Sequence, residues 1–213
     1  MKFNQLIRRP FKYSYYNASF IIIGINLIVF LITSLFPRIQ SILALNVIYV
    51  VKGHAFWQFL TYMFLHGSFS HVLFNMLGVL FFGIAIEKAI GSKEFLLLYF
   101  LSGILCGVIS FVIYYFSGAY TVFLLGASGA IYALLLAYAV IFPRANIYIW
   151  GILPIPAPIL IAVYAGIEIA SQLFSIQNGV AHMTHLAGFF VAFIYFIVRM
   201  GINPWKVWVN AYK

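Results

Sequence analysis

Six apolar runs of membrane-crossing length dominate this chain: Ala18–Phe36, Phe69–Ile86, Phe95–Phe116, Gly126–Phe142, Ile155–Phe174 and Met183–Met200. A span takes about 20 apolar residues. In lipid every backbone polar group must be satisfied internally, so such runs fold as helices. Turn-forming residues separate them, at Pro37-Arg38, Gly91-Ser92-Lys93, Ser117-Gly118, Pro143-Arg144 and Asn178-Gly179. Hydrophobic residues make up 65% of the 213 and charged residues 7%, far from the balance of a soluble domain. The expected fold is an all-α membrane protein, a bundle of six transmembrane helices. A terminal segment over residues 1–17 precedes the membrane domain of residues 18–200, and a tail over 201–213 follows it. The stretch Ile39–Gly67 is broken by Asn46, Lys52, Gly53 and His54 and dense in aromatics from Phe56 to Phe64. It reads as a long interfacial loop between helices 1 and 2, in preference to a seventh span over Ile42–Leu65. The first run lacks a small-residue cleavage site and is expected to remain as an anchor.

Orientation follows from the 12 Lys and Arg residues. Lys2, Arg8, Arg9, Lys12, Lys88, Lys93, Arg144, Arg199, Lys206 and Lys213 fall on one side of the six-span topology, and only Arg38 and Lys52 on the other. The positive-inside bias puts both termini in the cytoplasm, with the uncharged loops Ser117–Leu125 and Ser175–Ala181 outside. The expected setting is the cell membrane of a bacterium or archaeon. A net charge of +9 does not imply nucleic acid, because the basic residues sit at helix ends and form no continuous face. The single cysteine, Cys106, excludes an intramolecular disulfide. No internal repeat supports an inverted-repeat transporter.

Polar side chains inside lipid are costly and mark function. Here they agree in depth. With the amino terminus inside, spans two, four and six all begin at the outer face. His71 and Asn75 lie near the start of span two, Ser128 near the start of span four, and His182 and His185 at the start of span six. A serine, histidines and an asparagine supply a nucleophile, candidate bases and an oxyanion donor, at a level that water reaches from outside. His71 and Asn75 are four residues apart and share one helix face. Small residues allow close approach of the helices that carry the others: Gly129, Ala133 and Ala137 on span four, Gly188 and Ala192 on span six.

Four motifs in order resemble the rhomboid intramembrane serine proteases over roughly Trp57 to Arg199. They are His66-Gly-Ser-Phe-Ser-His71-Val-Leu-Phe-Asn75, Glu87-Lys88-Ala-Ile-Gly91-Ser92, Gly126-Ala-Ser128-Gly129-Ala-Ile-Tyr132-Ala133, and His185-Leu-Ala-Gly188. The resemblance implies a serine endopeptidase that cleaves transmembrane segments, with single-pass membrane proteins as substrates, the lipid bilayer as medium, and no cofactor, metal or nucleic acid. It implies Ser128 as nucleophile and His185 as base, a dyad with no acid. The chain contains no Asp to orient the imidazole, and Tyr132 matches the ring that packs against it. His71 and Asn75, with the Ser128 N–H, match the oxyanion donors. Gly126, Gly129, His66 and Gly188 are supporting positions, His66 as a loop anchor. The chain departs from the family pattern at Trp57-Gln58, where Trp-Arg is usual, and at Ala192, where glycine is commoner.

Rival readings stay open. His182 competes with His185 as base. Four intramembrane histidines suit a metal or haem, although no carboxylate or thiolate is expected beside them as support. Glu168, a lone acid in span five, has no evident partner and suits a proton pathway or a hydrogen bond to a neighbouring helix. Glu87, beside Lys88, reads as structural, and Ser70, Ser102 and Ser110 as ordinary helix serines. A rhomboid-like protein that binds transmembrane helices without cutting them remains the functional alternative. Such members typically lack the serine or histidine retained here.

Overall fold

The computed structural model describes residues 8, 10–149, 151–174 and 182–213; the expected outer loop Ser175–Ala181 lies outside them. Four described helices are long and apolar enough to cross a membrane: α1 (Ala18–Leu35), α5 (Phe69–Ile90), α6 (Ser92–Ser117) and α9 (His182–Met200). Two apolar helices are shorter, α7 (Ser128–Ile141) and α8 (Ala157–Leu173). Each of the six expected runs thus contains one helix, with ends shifted by a few residues. The expected interfacial loop is built of short helices, α2 (Pro37–Leu43), α3 (Val47–Gly53) and α4 (Gln58–Thr61), followed by a tight turn at Tyr62–Phe64.

Two elements were not expected. Asn146–Ile149 (β1) and Leu153–Pro156 (β2) form an antiparallel hairpin, with Ile147 opposite Ile155. The expected tail contains α10 (Pro204–Ala211), started by Pro204 and capped where Asn203 Oδ1 accepts from the Lys206 N–H at 3.2 Å. Trp208 of α10 donates to the Ala139 carbonyl at 2.9 Å, one of the last carbonyls of α7 that lack an intrahelical partner. The tail is therefore docked.

α7 is apolar all round and buried all round, from Gly129 to Val140, as a helix at the centre of a bundle must be. Its neighbours come close because their contact positions are small. A Cβ at Gly188 of α9 would lie 2.3 Å from the Gly129 carbonyl oxygen, and a Cβ at Gly129 would lie 2.9 Å from Cys106 of α6. Gly103 and Gly107 of α6 do a related job: Met63 and Tyr62 of the interfacial segment fill the space their side chains would take. Outward faces, such as Phe20, Leu27 and Leu31 of α1, stay exposed for lipid.

Three acids are buried, and each has donors. Glu87 accepts from the Ala18 and Ser19 N–H groups (2.6 and 2.9 Å) and from the Ser19 and Ser92 hydroxyls (2.8 and 2.5 Å). It caps the start of α1, where Asn17 provides no side-chain cap. Glu94 of α6 takes a two-pronged contact from Arg199 of α9, 2.8 Å at each prong, and a hydrogen bond from the Tyr195 hydroxyl. Glu168 belongs to the site.

The Gly188–Gly129 contact yields a paired test. Gly188→Ala puts a carbon against a backbone oxygen that cannot turn aside, and should destabilise by roughly 1–3 kcal/mol, the usual range for overpacking. Gly24→Ala on α1, with nothing within 4 Å of the added carbon, should be neutral or slightly stabilising, as alanine favours helix. Thermal unfolding in detergent compares the two; equal melting points would refute the close approach.

Candidate functional site

Ser128 is the first residue of α7, and what holds it there is the non-helical stretch before it. Leu124 and Leu45 exchange N–H to carbonyl bonds, both 2.9 Å, and the Gly126 N–H donates to the Tyr62 carbonyl at 2.9 Å. Gly126 has φ +121, a conformation that suits a residue without a Cβ. A side-chain carbon there would stand 2.8 Å from His71 Nε2 and 3.9 Å from Asn75 Nδ2. This positive φ turns the chain into α7 and leaves the first N–H groups of that helix without intrahelical acceptors.

The structure brings His185 to Ser128: Nε2 lies 2.8 Å from Oγ. Tyr132, one turn along α7, stacks on the imidazole with centroids 4.3 Å apart and planes 8° from parallel. His182 faces elsewhere, its Nδ1 2.6 Å from Glu168 Oε2, and its Nε2 is buried with no partner among the described residues.

The expectation of a pair without an acid is corrected here. His185 Nδ1 lies 2.9 Å from Glu168 Oε1, and the Tyr132 hydroxyl donates to the same oxygen. An ionised carboxylate only accepts, so facing an ionised Glu168 both histidines carry their proton on Nδ1. His185 Nε2 is then the acceptor facing the Ser128 hydroxyl. The absence of Asp from the chain was the wrong test, because Glu168 of α8 reaches the ring. The same finding removes the argument that no carboxylate stands beside the histidines. Glu168, His182 and His185 offer one donor atom each within 4.8 Å of one another, a spacing compatible with a metal as well as with shared protons.

On α5, Ser68 caps the helix by accepting from the His71 N–H at 3.2 Å. The Gly67 N–H makes a long contact, 3.5 Å, to His71 Nδ1, and Nε2 is turned toward Gly126. Asn75 Nδ2 is buried without a partner among the described residues. A cavity of about 330 Å³ lined by Asn75, Ser128, Tyr132, Ile147 and Tyr164 opens between α5, α7, α8 and the hairpin. A buried amide donor left unpaired beside a serine hydroxyl costs stability and is available to an oxygen of a bound group. His66 packs edge-on against His71, centroids 5.0 Å apart. Burial, with His71 alongside, holds its pKa down to about 3, so its ring is neutral. Gly129 and Gly188 set the α7–α9 distance described above. Gln58 is fully buried, accepting from the Asn46 N–H at 3.0 Å and donating to the Ile42 carbonyl at 2.9 Å. It ties the interfacial segment together where the family pattern has arginine.

Glu168 was visible in the sequence as an acid in an apolar run, but its partners were not. Tyr164, on the same face of α8, was the available hint that this face looks inward; its ring lies 6.3 Å from that of Tyr132. The hairpin that contributes Ile147 to the cavity was also missed, although Asn-Ile-Tyr-Ile alternates as a short strand does.

Comparison with known proteins agrees with this picture. The Rhomboid domain model matches residues 53–201. RHOMBOID-like protein 4 of Arabidopsis thaliana is 33% identical over 174 residues, 81% of this chain and 41% of that protein. The putative rhomboid protease YdcA of Bacillus subtilis is 34% identical over 88 residues, 41% of this chain and 42% of its own. The rhomboid protease GlpG of Klebsiella pneumoniae is 38% identical over 79 residues, 37% of this chain and 26% of its own. The chain spans less than half the length of each of these relatives. They come from a plant and from bacteria, so they lend no support to a bacterial or archaeal origin over another. With most of its length matched by the domain model and its apolar helices in place, this chain is an integral membrane protein of the rhomboid family.

Proposed function

We propose that the chain is an intramembrane serine endopeptidase, acting on single transmembrane segments of other membrane proteins. One observation carries the reading: in a rhomboid-family chain, the Ser128 hydroxyl lies 2.8 Å from the acceptor nitrogen of His185, at the edge of a cavity lined by an unpaired amide donor. Residues 18–200 form the catalytic unit, with α1, α5, α6, α7, α8 and α9 as its six spans and both termini on the cytoplasmic side.

Ser128 attacks a carbonyl carbon of the substrate while His185 Nε2 takes the hydroxyl proton. Asn75 Nδ2, His71 Nε2 and the Ser128 N–H donate to the oxyanion that develops. His185 then gives its proton to the leaving amine, and water repeats the sequence on the acyl-enzyme. No metal or cofactor takes part. A substrate helix must expose its scissile bond, so residues of poor helix propensity near the cleavage point favour cleavage.

Ser128→Ala and His185→Ala should each abolish cleavage of a transmembrane substrate while preserving the fold. The double variant should be no worse than either, since nucleophile and base act as a unit. Activity that survives His185→Ala but not His182→Ala would reverse the assignment of the base.

Asn75→Ala should lower kcat by roughly one to two orders of magnitude with little change in KM, and His71→Ala should do the same. Removing one oxyanion donor from a soluble protease costs about 2.7–4 kcal/mol, and three donors sharing the charge soften the loss here. Wild-type turnover in both variants, in detergent and in liposomes, would reduce this pair to packing.

A fluorophosphonate should label Ser128, and EDTA should leave activity unchanged. Activity lost to EDTA and restored by zinc would instead favour a metal held by Glu168, His182 and His185.

A further inference from the structure

Glu168 is 5% exposed, in the apolar helix α8. A carboxylate in such surroundings is costly unless donors surround it. Three do, from two other helices: the Tyr132 hydroxyl of α7, and the Nδ1–H groups of His182 and His185 of α9. Tyr132 and His182 alone would occupy both oxygens. The third contact is made to the ring nitrogen opposite the one that faces Ser128, so Ser128, His185 and Glu168 stand in line through one imidazole.

We propose that Glu168 is a positioning residue of the reaction, holding His185 in the Nδ1–H tautomer and stabilising the imidazolium formed when the ring takes the serine proton. The proposal rests on the reading of Ser128 and His185 as nucleophile and base. The proton balance is simple. As Ser128 Oγ bonds to the substrate carbonyl carbon, its proton moves to His185 Nε2, and the ring carries one positive charge. That proton passes to the amide nitrogen as the carbon–nitrogen bond breaks, and the ring is neutral again. Glu168 gains no proton at any stage; its charge lies beside the ring while the ring is charged.

The supporting contacts divide the work. Stacking on Tyr132 fixes the plane of the imidazole, whereas the bond to Glu168 fixes its rotation within that plane. His182 and the Tyr132 hydroxyl in turn fix the carboxylate. This gives His182 a role that needs no contact with substrate.

The test compares Glu168→Gln and Glu168→Asp with the wild-type chain. Two readouts are taken: cleavage of a fluorogenic single-span peptide in micelles and the rate of Ser128 labelling by a fluorophosphonate, which needs no natural substrate. Glu168→Gln should lower kcat by roughly 10²-fold, with KM little changed. That is less than the ~10⁴-fold cost of the equivalent change in a soluble triad, because Tyr132 still holds the ring. Labelling should slow in parallel. Glu168→Asp, with the charge kept but drawn back, should recover part of the lost kcat and of the lost labelling rate; it also serves if Glu168→Gln does not fold. Equal falls in the two variants, a loss carried by KM, or wild-type rates throughout would overturn the proposal and leave Glu168 as a tie between α8 and α9. Should Ser128→Ala cleave like wild type, or wild-type Ser128 resist labelling, the reading beneath the proposal fails instead.

Discussion

A backbone that leaves helical form within an apolar phase must find its hydrogen bonds elsewhere, and the stretch before Ser128 does so on the interfacial segment. Leu45 pairs with Leu124, Tyr62 accepts from Gly126, and the Asn46 side chain donates to the Tyr120 and Val122 carbonyls at 3.0 Å each. Asn46 is itself held through its own N–H by Gln58. That segment is anchored in turn on α6, where Tyr62 donates to the Gly103 carbonyl at 2.6 Å and Met63 fills the space above Gly103. A chain of contacts therefore runs from α6 through the interfacial segment to the first turn of α7. It fixes where α7 begins, and so where its unpaired N–H groups and Ser128 stand.

The three acids show how one side-chain chemistry is turned to different ends. Glu87 faces the amino-terminal N–H groups of α1, whose partial positive charge matches it. Glu94 faces the fixed cation of Arg199. Both charges are met by a permanent partner, as a structural role requires. Glu168 is met by a tyrosine hydroxyl and two imidazoles. Like Glu87 it is solvated by donors with no fixed cation among the described residues, but one of its donors is the ring whose charge changes during the proposed reaction. This difference sets Glu168 apart more sharply than its burial does.

How much the sequence disclosed follows the range of the forces concerned. Helices appear in all six apolar runs, because apolar length in lipid is a local property. That Ser128 and His185 stand near the starts of alternate apolar runs was also legible, and the structure brings the two together. Gly126 and Ala127 lie inside the apolar run of span four, yet φ +121 at Gly126 ends any helix there; the demand for close approach to His71 is a tertiary fact. The partners of Glu168 were hidden for the same reason, because periodicity gives the face a residue occupies but not the helix that face meets. The hairpin and α10 were missed because neither has the length that identifies a span. α10 is held by a tertiary contact, that of Trp208 with the end of α7.

The geometry of the proposed reacting pair depends on the spacing of the two helices that carry it. Gly188 lies three residues beyond His185, and Gly129 directly follows Ser128, so this close approach of α7 and α9 falls within one turn of the Ser128–His185 contact. Tyr132 lies between the two: its Cβ would stand 3.0 Å from a carbon added at Gly188, and its ring covers His185 at 4.3 Å. Widening the helix pair by a methyl group would therefore lengthen the 2.8 Å contact and loosen the stack in one movement. Displacements of about 1 Å at such a centre are worth on the order of 10²-fold in rate. Small residues at this crossing therefore set the geometry of the proposed pair as well as stability, and the two effects have a single cause.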